Sequence, residues 1–169
     1  MKFLKFRSLK NKDKSLIFKW RNNKKVNQYL LRKKITSLEH DIWFKEKLKK
    51  KISFAWIIIY KKDKIGLAQV KLIDNKICNA GFYIFKRKYS YLTFFVINLL
   101  HYEIFFKLNL KLIKSYINIK NNKIRKLNKM CGYKEFKHFK KNYIFTSLSD
   151  RSWKKSIGYK YLKDNYGKL

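Results

Sequence analysis

The stretch from Asn79 to Tyr133 constrains the fold more than any other. Asn79-Ala80-Gly81-Phe82-Tyr83-Ile84-Phe85 reads as a strand, Lys86-Arg87-Lys88-Tyr89-Ser90-Tyr91 as a short basic loop, and Leu92 to Lys107 as a long apolar helix. Leu112 to Ile119 reads as a second strand and Asn121 to Cys131 as a short helix that stops at Gly132-Tyr133. Parallel neighbours cannot be joined by a tight turn, so strand, crossover helix and strand together predict a βαβ unit. The start of such a helix presents backbone N–H groups, a natural anion site. The stretch therefore predicts an α/β (α+β) chain with a candidate anion site at the loop before the long helix, and much of the function turns on whether that loop binds one.

The flanking segments fit around that unit. Lys2 to Leu9 alternates as a strand, and Asn11 to Arg21 places Leu16, Ile17 and Trp20 on one helical face. Val26, Tyr29 and Leu30 mark a short helical piece. Thr36 and Glu39 have the spacing of a capping box and start a helix that carries His40, Trp43, Phe44 and Lys47. Phe54 to Tyr60, Ile65 to Ile73 and Ile77 to Phe85 are three strands with polar turns between them, an antiparallel meander that leads into the βαβ unit. After Gly132, Tyr133 to Phe139 and Tyr143 to Leu148 are two more strands. Residues 1–149 thus form one domain. Residues 150–169 are a basic, Tyr-rich tail containing Trp153, Ile157 and Leu162, which either docks as a helix or frays.

Composition narrows the function. No apolar run approaches the roughly 20 residues of a membrane span, and lysines interrupt the first 16 residues where a signal peptide would be apolar. A cytoplasmic protein is expected. Cys78 and Cys131 are far apart and without metal-ligand spacing, so reduced buried thiols are expected and no metal. The net charge of +34 points toward nucleic acid. The lysines are dispersed, however, and only six of the 44 basic residues are arginine, with no proline and abundant Asn, Ile, Phe and Tyr. That is the imprint of an AT-rich genome, and it predicts only non-specific, salt-sensitive nucleic-acid binding.

The order of elements, with Trp20-Arg21-Asn22, Val26, Tyr29, Ile35-Thr36, Glu39-His40 and Trp43-Phe44, resembles the Gcn5-related N-acetyltransferase (GNAT) family. Trp56-Ile57-Ile58, Ile65-Gly66 and Gly81-Phe82-Tyr83-Ile84 resemble its central strands, and Leu108-Asn109-Leu110, Asn121 and Cys131-Gly132-Tyr133 its ending. The resemblance spans about Lys5 to Phe136. It implies a mixed sheet of six or seven strands flanked by four helices, with acetyl-CoA as cofactor and a primary amine as acceptor. The Trp-Arg-Asn and Glu-His-x-x-Trp elements resemble the branch acting on ribosomal-protein N-termini or amino sugars, and within it the enzymes of nucleotide-linked 4-amino-4,6-dideoxy sugars, pseudaminic acid type.

The family's chemistry requires a proton taken from the amine, an oxyanion stabilised and a proton returned to the thiolate. The resemblance places Phe82, Tyr83 and Ile84 along the pantetheine, with Lys86, Arg87, Lys88, Tyr89, Ser90, Tyr91, Leu92 and Asn121 around the pyrophosphate. Two departures stand out. The family's phosphate loop carries glycines where this chain has Tyr89 and Tyr91, which predicts backbone strain of about 1 kcal/mol or more if positive φ is kept. Charge from Lys86, Arg87 and Lys88 would then take over, unless that run is simply a solvated turn. The family's acidic tyrosine falls on Asn128, which can hydrogen-bond a thiolate but not protonate it, leaving Tyr83 or Tyr89 as the nearest phenols. His40 is either a structural histidine or the base, acting through a water, and Arg21, Asn22, His40 and Trp43 are expected at the acceptor. The alternatives are a protein N-terminal acetyltransferase, a binding module that has lost turnover, and a basic nucleic-acid-binding protein.

Overall fold

The computed structural model describes residues 3–30, 34–49, 51–140 and 142–166. Its centre is a seven-stranded sheet: β1 (Leu4–Ser8), β2 (Ser53–Tyr60), β3 (Asp63–Leu72), β4 (Ile77–Ile84), β5 (Leu112–Asn118), β6 (Lys134–Lys140) and β7 (Tyr143–Ser149). The spatial order is β1-β2-β3-β4-β5-β7-β6. β2 to β4 run antiparallel, as the meander predicts, and β1 adds antiparallel to β2. Asp74 closes the turn into β4 by accepting the N–H groups of Lys76 and Ile77 at 2.7 and 2.8 Å.

β4 and β5 are the parallel pair of the βαβ unit, and they are paired only at Ile77 with Leu112 and Cys78 with Ile113. Beyond that point they diverge. Two side-chain bonds hold the start of the gap: Ser115 Oγ donates to the Ala80 carbonyl at 3.0 Å and Asn79 Nδ2 to the Lys114 carbonyl at 2.9 Å. The rest of the β4 edge lacks a strand partner on this side.

Each face of the sheet is covered differently. On one, α1 (Lys14–Arg21), α2 (Lys24–Asn27) and α3 (Ser37–Lys49) follow β1, and a small core joins Ile17, Trp20 and Phe44 to Ala55, Ile57 and Leu67. The capping box of α3 forms as expected: the Thr36 N–H donates to Glu39 at 2.8 Å and the Glu39 N–H to Thr36 Oγ1 at 3.3 Å. Ahead of α1, the buried Asp13 carboxylate accepts from Arg7 (2.8 Å), Lys64 (2.8 Å) and the Lys10 N–H (3.0 Å), tying β1 and β3 together.

The other face carries α4 (Thr93–Tyr102), continued as a π-helical turn over Glu103–Lys107, together with α6 (Asp150–Lys154) and α7 (Ile157–Tyr166). Its larger core includes Leu92, Phe95, Val96, Leu99, Ile104, Trp153 and Leu162. Of the two courses expected for the C-terminal stretch, docking is the one observed up to Tyr166. Trp153 is fully buried and its Nε1 donates to Asn98 Oδ1 at 2.9 Å. Helices therefore exceed the expected four, because the tail adds two and Lys24–Asn27 forms one more.

α5 (Asn122–Met130) lies between β5 and β6. Asn121 caps its start by accepting the Ile124 N–H at 3.4 Å. Gly132, at φ +87°, ends it: its N–H donates to the Lys129 carbonyl and that of Tyr133 to the Asn128 carbonyl, both at 3.1 Å. This pair of bonds is a Schellman ending, which needs a left-handed residue. Among the described residues no helix is long and apolar enough to cross a membrane.

Candidate active site

Divergence of β4 from β5 opens a cleft of about 590 Å3 that reaches both faces of the sheet. From the α4 side it is walled by Thr93, Ile97, Leu100 and His101, from β4 by residues 80–84, and from α5 by Asn121, Lys123, Ile124 and Asn128. On the α1 and α3 side lies a second pocket of about 320 Å3, walled by Ile17, Arg21, Ile35, Glu39, His40, Trp43, Gln69 and Tyr83. Arg21, Gln69 and Tyr83 line both. The two spaces therefore meet at the free edge of β4.

Of the residues expected along a cofactor, Phe82, Tyr83, Ile84, Ser90 and Asn121 line the cleft. The others of the loop do not. Arg87 to Leu92 forms a 3-10 turn that runs straight into α4. Among the described residues the only non-glycine positions with positive φ are Lys61 and Asn109, so the strain expected at Tyr89 and Tyr91 is absent. A right-handed 3-10 turn does not need glycine, and the tyrosines point elsewhere. Tyr89 donates its hydroxyl to Asp63 and packs edge-on against Tyr60, while Tyr91 is exposed. Asp63 also draws Lys86 to 2.7 Å and Lys88 to 3.9 Å, and together these cations and the phenol hold its carboxyl below the usual range. Arg87 is exposed and Leu92 is core. The expected cationic run thus serves largely to fix the turn.

Lys123, which the sequence reading did not single out, stands where charge was expected. It reaches across the mouth of the cleft from the first turn of α5, and its Nζ donates to the Ser90 carbonyl at 3.3 Å. The Thr93 hydroxyl and the Thr93 N–H donate to the same oxygen. Ser90, Thr93, Asn121 and Lys123 so gather at one end of the cleft.

Among the expected acceptor residues, Arg21, His40 and Trp43 line the smaller pocket. Asn22 does not. Its Oδ1 accepts the Ile35 N–H and its Nδ2 donates to the Ile35 carbonyl, both at 3.0 Å, so it secures the segment before α3. His40 is buried, with Nε2 donating to the Lys14 carbonyl at 2.9 Å and Trp43 stacked at 5.5 Å. Burial lowers its pKa, partly opposed by the bond to Lys14, and leaves Nδ1 as an unpaired lone pair. The Tyr83 hydroxyl is buried without a hydrogen-bond partner, and burial raises its pKa against the pull of Arg21. Tyr83 is therefore a protonated phenol beside both spaces. Gln69 was also missed, for an isolated polar residue in an apolar strand gives no sign of facing a cavity.

Asn128 faces the cleft as its helix position predicts, and is buried. Further in, Tyr133 and His101 are joined at 3.1 Å, and burial pushes His101 down to about 3, so it is neutral. Both cysteines are buried free thiols, pushed by burial to about 12. Among the residues lining the two spaces, Glu39 is the single carboxylate, and it already accepts the Thr36 N–H.

A mostly antiparallel sheet parted at its one parallel pair, between the fourth and fifth strands, with a cleft entering from one face and a pocket from the other, defines an acyltransferase of the GNAT class. The chain belongs to the acetyltransferase (GNAT) domain family, whose pattern matches residues 4–134, and it is an acetyl-CoA-dependent N-acetyltransferase. It is 29% identical over 143 residues to the acetyltransferase PseH of Campylobacter jejuni, an alignment covering 82% of this chain and 90% of the relative. Among solved structures, PseH of Campylobacter jejuni in complex with acetyl coenzyme A is similar at a TM-score of 0.68 and 21% identity, covering 87% of this chain and 99% of that one. Spermidine N-acetyltransferase from Vibrio cholerae, in complex with CoA and spermine, aligns at a TM-score of 0.81 and 17% identity over 90% of this chain and 99% of that one.

Proposed function

We propose that this enzyme transfers an acetyl group to the amine of a nucleotide-linked amino sugar, with the acyl donor in the β4–β5 cleft and the acceptor in the pocket over α1 and α3. The charge around the acceptor carries this reading. A polyamine bears several positive charges and calls for carboxylates, yet among the described residues the acceptor pocket offers only Glu39, already engaged, beside Arg21. An acceptor with a diphosphate suits that balance. The Trp-Arg-Asn and Glu-His-x-x-Trp resemblance and the likeness to PseH support it as well.

The cleft suits acetyl-CoA because the β4 backbone groups that face β5 beyond Cys78 are not paired to that strand and can pair with an amide-bearing arm. When bound, acetyl-CoA supplies the activated acyl group. The chain's own groups do the rest. Phe82 to Ile84 offer the edge, Ser90, Thr93, Asn121 and Lys123 receive the phosphates, and Asn128 hydrogen-bonds at the sulfur. The Tyr83 hydroxyl holds the proton to be returned to the leaving thiolate. His40, neutral at pH 7, holds at Nδ1 the lone pair that takes up the amine's proton through a water.

The test is steady-state acetyl transfer with three acceptors: a UDP-linked 4-amino-4,6-dideoxyhexose, spermidine, and a peptide with a free N-terminal serine. The sugar nucleotide is expected to exceed the others in kcat/KM by about 100-fold or more. Equal or faster turnover of spermidine or the peptide overturns the acceptor assignment.

A further inference from the structure

Gln69 and Gly81 have no part in the roles assigned above, although they face each other in the β3–β4 pairing at the meeting point of the two spaces. Both lie on the face that turns Leu67 and Tyr83 toward α1 and α3. Gly81 is unlike the other described glycines. A Cβ on Gly66 would stand 2.1 Å from the Tyr83 carbonyl oxygen, on Gly132 2.8 Å from that of Ser152, and on Gly158 2.3 Å from Asn98 Oδ1. On Gly81 it would meet nothing within 4 Å, and Gly81 has no positive φ. Neither backbone conformation nor packing requires glycine here.

Gly81 lines the cleft, and the cleft shares Arg21, Tyr83 and Gln69, the residue opposite Gly81, with the acceptor pocket. Among the described residues no hydrogen bond engages the Gln69 carboxamide, which lines both spaces, and the Tyr83 hydroxyl is buried without one. Two polar groups free to bond thus border an opening through the plane of the sheet. A carboxamide oxygen accepts an N–H, and a neutral amine offers two while keeping its lone pair for attack.

At this opening, the passage between the two spaces, we propose that Gln69 positions the acceptor amine by accepting one of its N–H bonds and that Gly81 is glycine because any side chain would narrow the passage. The assignment rests on the acetyl-transfer reading above. It makes residue 81 a gauge of acceptor bulk at the nitrogen.

The experiment uses the full chain and four variants, Gly81→Ala, Gly81→Val, Gln69→Leu and Gln69→Glu. Acetyl-CoA affinity is read by calorimetry, folding by thermal melting, and transfer with the UDP-linked 4-amino-4,6-dideoxyhexose and with hydroxylamine, whose nitrogen carries almost no bulk. All four are expected to melt near the wild type and to bind acetyl-CoA within threefold of it. Gly81→Val is expected to lose 100-fold or more in kcat/KM for the sugar. Gly81→Ala loses tenfold for the sugar and less than threefold for hydroxylamine. Gln69→Leu loses 30-fold for the sugar, and Gln69→Glu, which keeps an accepting oxygen, recovers at least threefold of that. Wild-type turnover by Gly81→Val, equal losses for the sugar and hydroxylamine, or a Gln69→Glu no better than Gln69→Leu overturns the passage. So does a Gly81→Val that loses acetyl-CoA binding together with turnover. A wild-type chain that binds acetyl-CoA and acetylates neither amine overturns the transfer reading itself, a result separate from any difference between variants.

Discussion

The cleft and the acceptor pocket are built on opposite faces of one sheet by different means. The cleft exists because two parallel strands pair at two positions and then part, so much of what it offers is main chain. The pocket is walled by side chains from α1, α3, β3 and β4 and the segment before α3. Main-chain recognition tolerates wide variation in sequence provided the topology holds, whereas a pocket of side chains changes with every substitution. The donor side is therefore the part such folds hold in common, and the acceptor side is where members of one family diverge. Each side also has its own buried polar centre, Asn98 on α4 behind the cleft and Asp13 just ahead of α1.

The largest expected effect is on the cleft's face. Trp153→Ala removes a fully buried ring and the Nε1–H that Asn98 Oδ1 accepts, which predicts a loss of about 3–5 kcal/mol in urea unfolding. A loss below about 1 kcal/mol would mean that α6 and α7 are an accessory and not part of the wall that supports α4.

On the pocket's face, His40→Gln is expected to lower kcat/KM about 100-fold, the low end for a general base and about 2.7 kcal/mol. Because burial lowers the imidazole's pKa from 6.5, the wild-type profile should stay flat through pH 7 and fall on the acid side only below 6.5. The variant should lose that acid limb. If the limb persists and only the melting temperature drops, His40 is a support for Trp43 and not the base.

Asp13→Asn probes the same face for stability. Arg7 and Lys64 reach solvent, so the loss is expected near 2 kcal/mol and not at the upper values for buried pairs. Burial alone would raise the Asp13 carboxyl, but the bonds from Lys64, Arg7 and the Lys10 N–H outweigh it and lower the folded pKa below 3.8. The contribution is then complete above 3.8 and is lost as pH falls through the folded value. The difference between wild type and variant should stay constant from pH 5 to 8 and shrink below about 4. A difference that grows on acidification would refute the ion-pair account.

What the sequence made legible follows the same division. The capping box at Thr36 and Glu39, the cap at Asn121 and the inward face of Asn128 were readable because each depends on neighbours within one helical turn. The βαβ unit was readable from periodicity and length. The segment 86–92 was not. Its conformation is set by Asp63, a residue 23 positions before Lys86, and the missing glycines signalled strain that the 3-10 turn avoids. Asn22 was assigned to the acceptor by its place in a motif, while its partner Ile35 lies 13 residues on. Lys123 could not be told from the many other lysines until the cleft gave it a position.

Lys123 also gives the smallest and sharpest contrast between the two sides. It alone among the described lysines lines the cleft, bonded to the Ser90 carbonyl at the start of α4, whereas Lys86 and Lys88 are turned onto Asp63. A phosphate arriving there can take over the ammonium from a carbonyl at little expense, but drawing Lys86 away leaves Asp63 without its closest cation. Lys123→Ala is therefore expected to raise the KM for acetyl-CoA about tenfold, some 1.4 kcal/mol, with kcat unchanged. Acetyl-pantetheine, which lacks the pyrophosphate, should be used equally well by variant and wild type. Lys86→Ala combined with Lys88→Ala should alter the KM by less than about threefold, acting through the turn and not through the ligand. If the double variant proves the more damaging and Lys123→Ala is silent, the charge resides in the 86–88 run after all, and the turn must open away from Asp63 when acetyl-CoA binds.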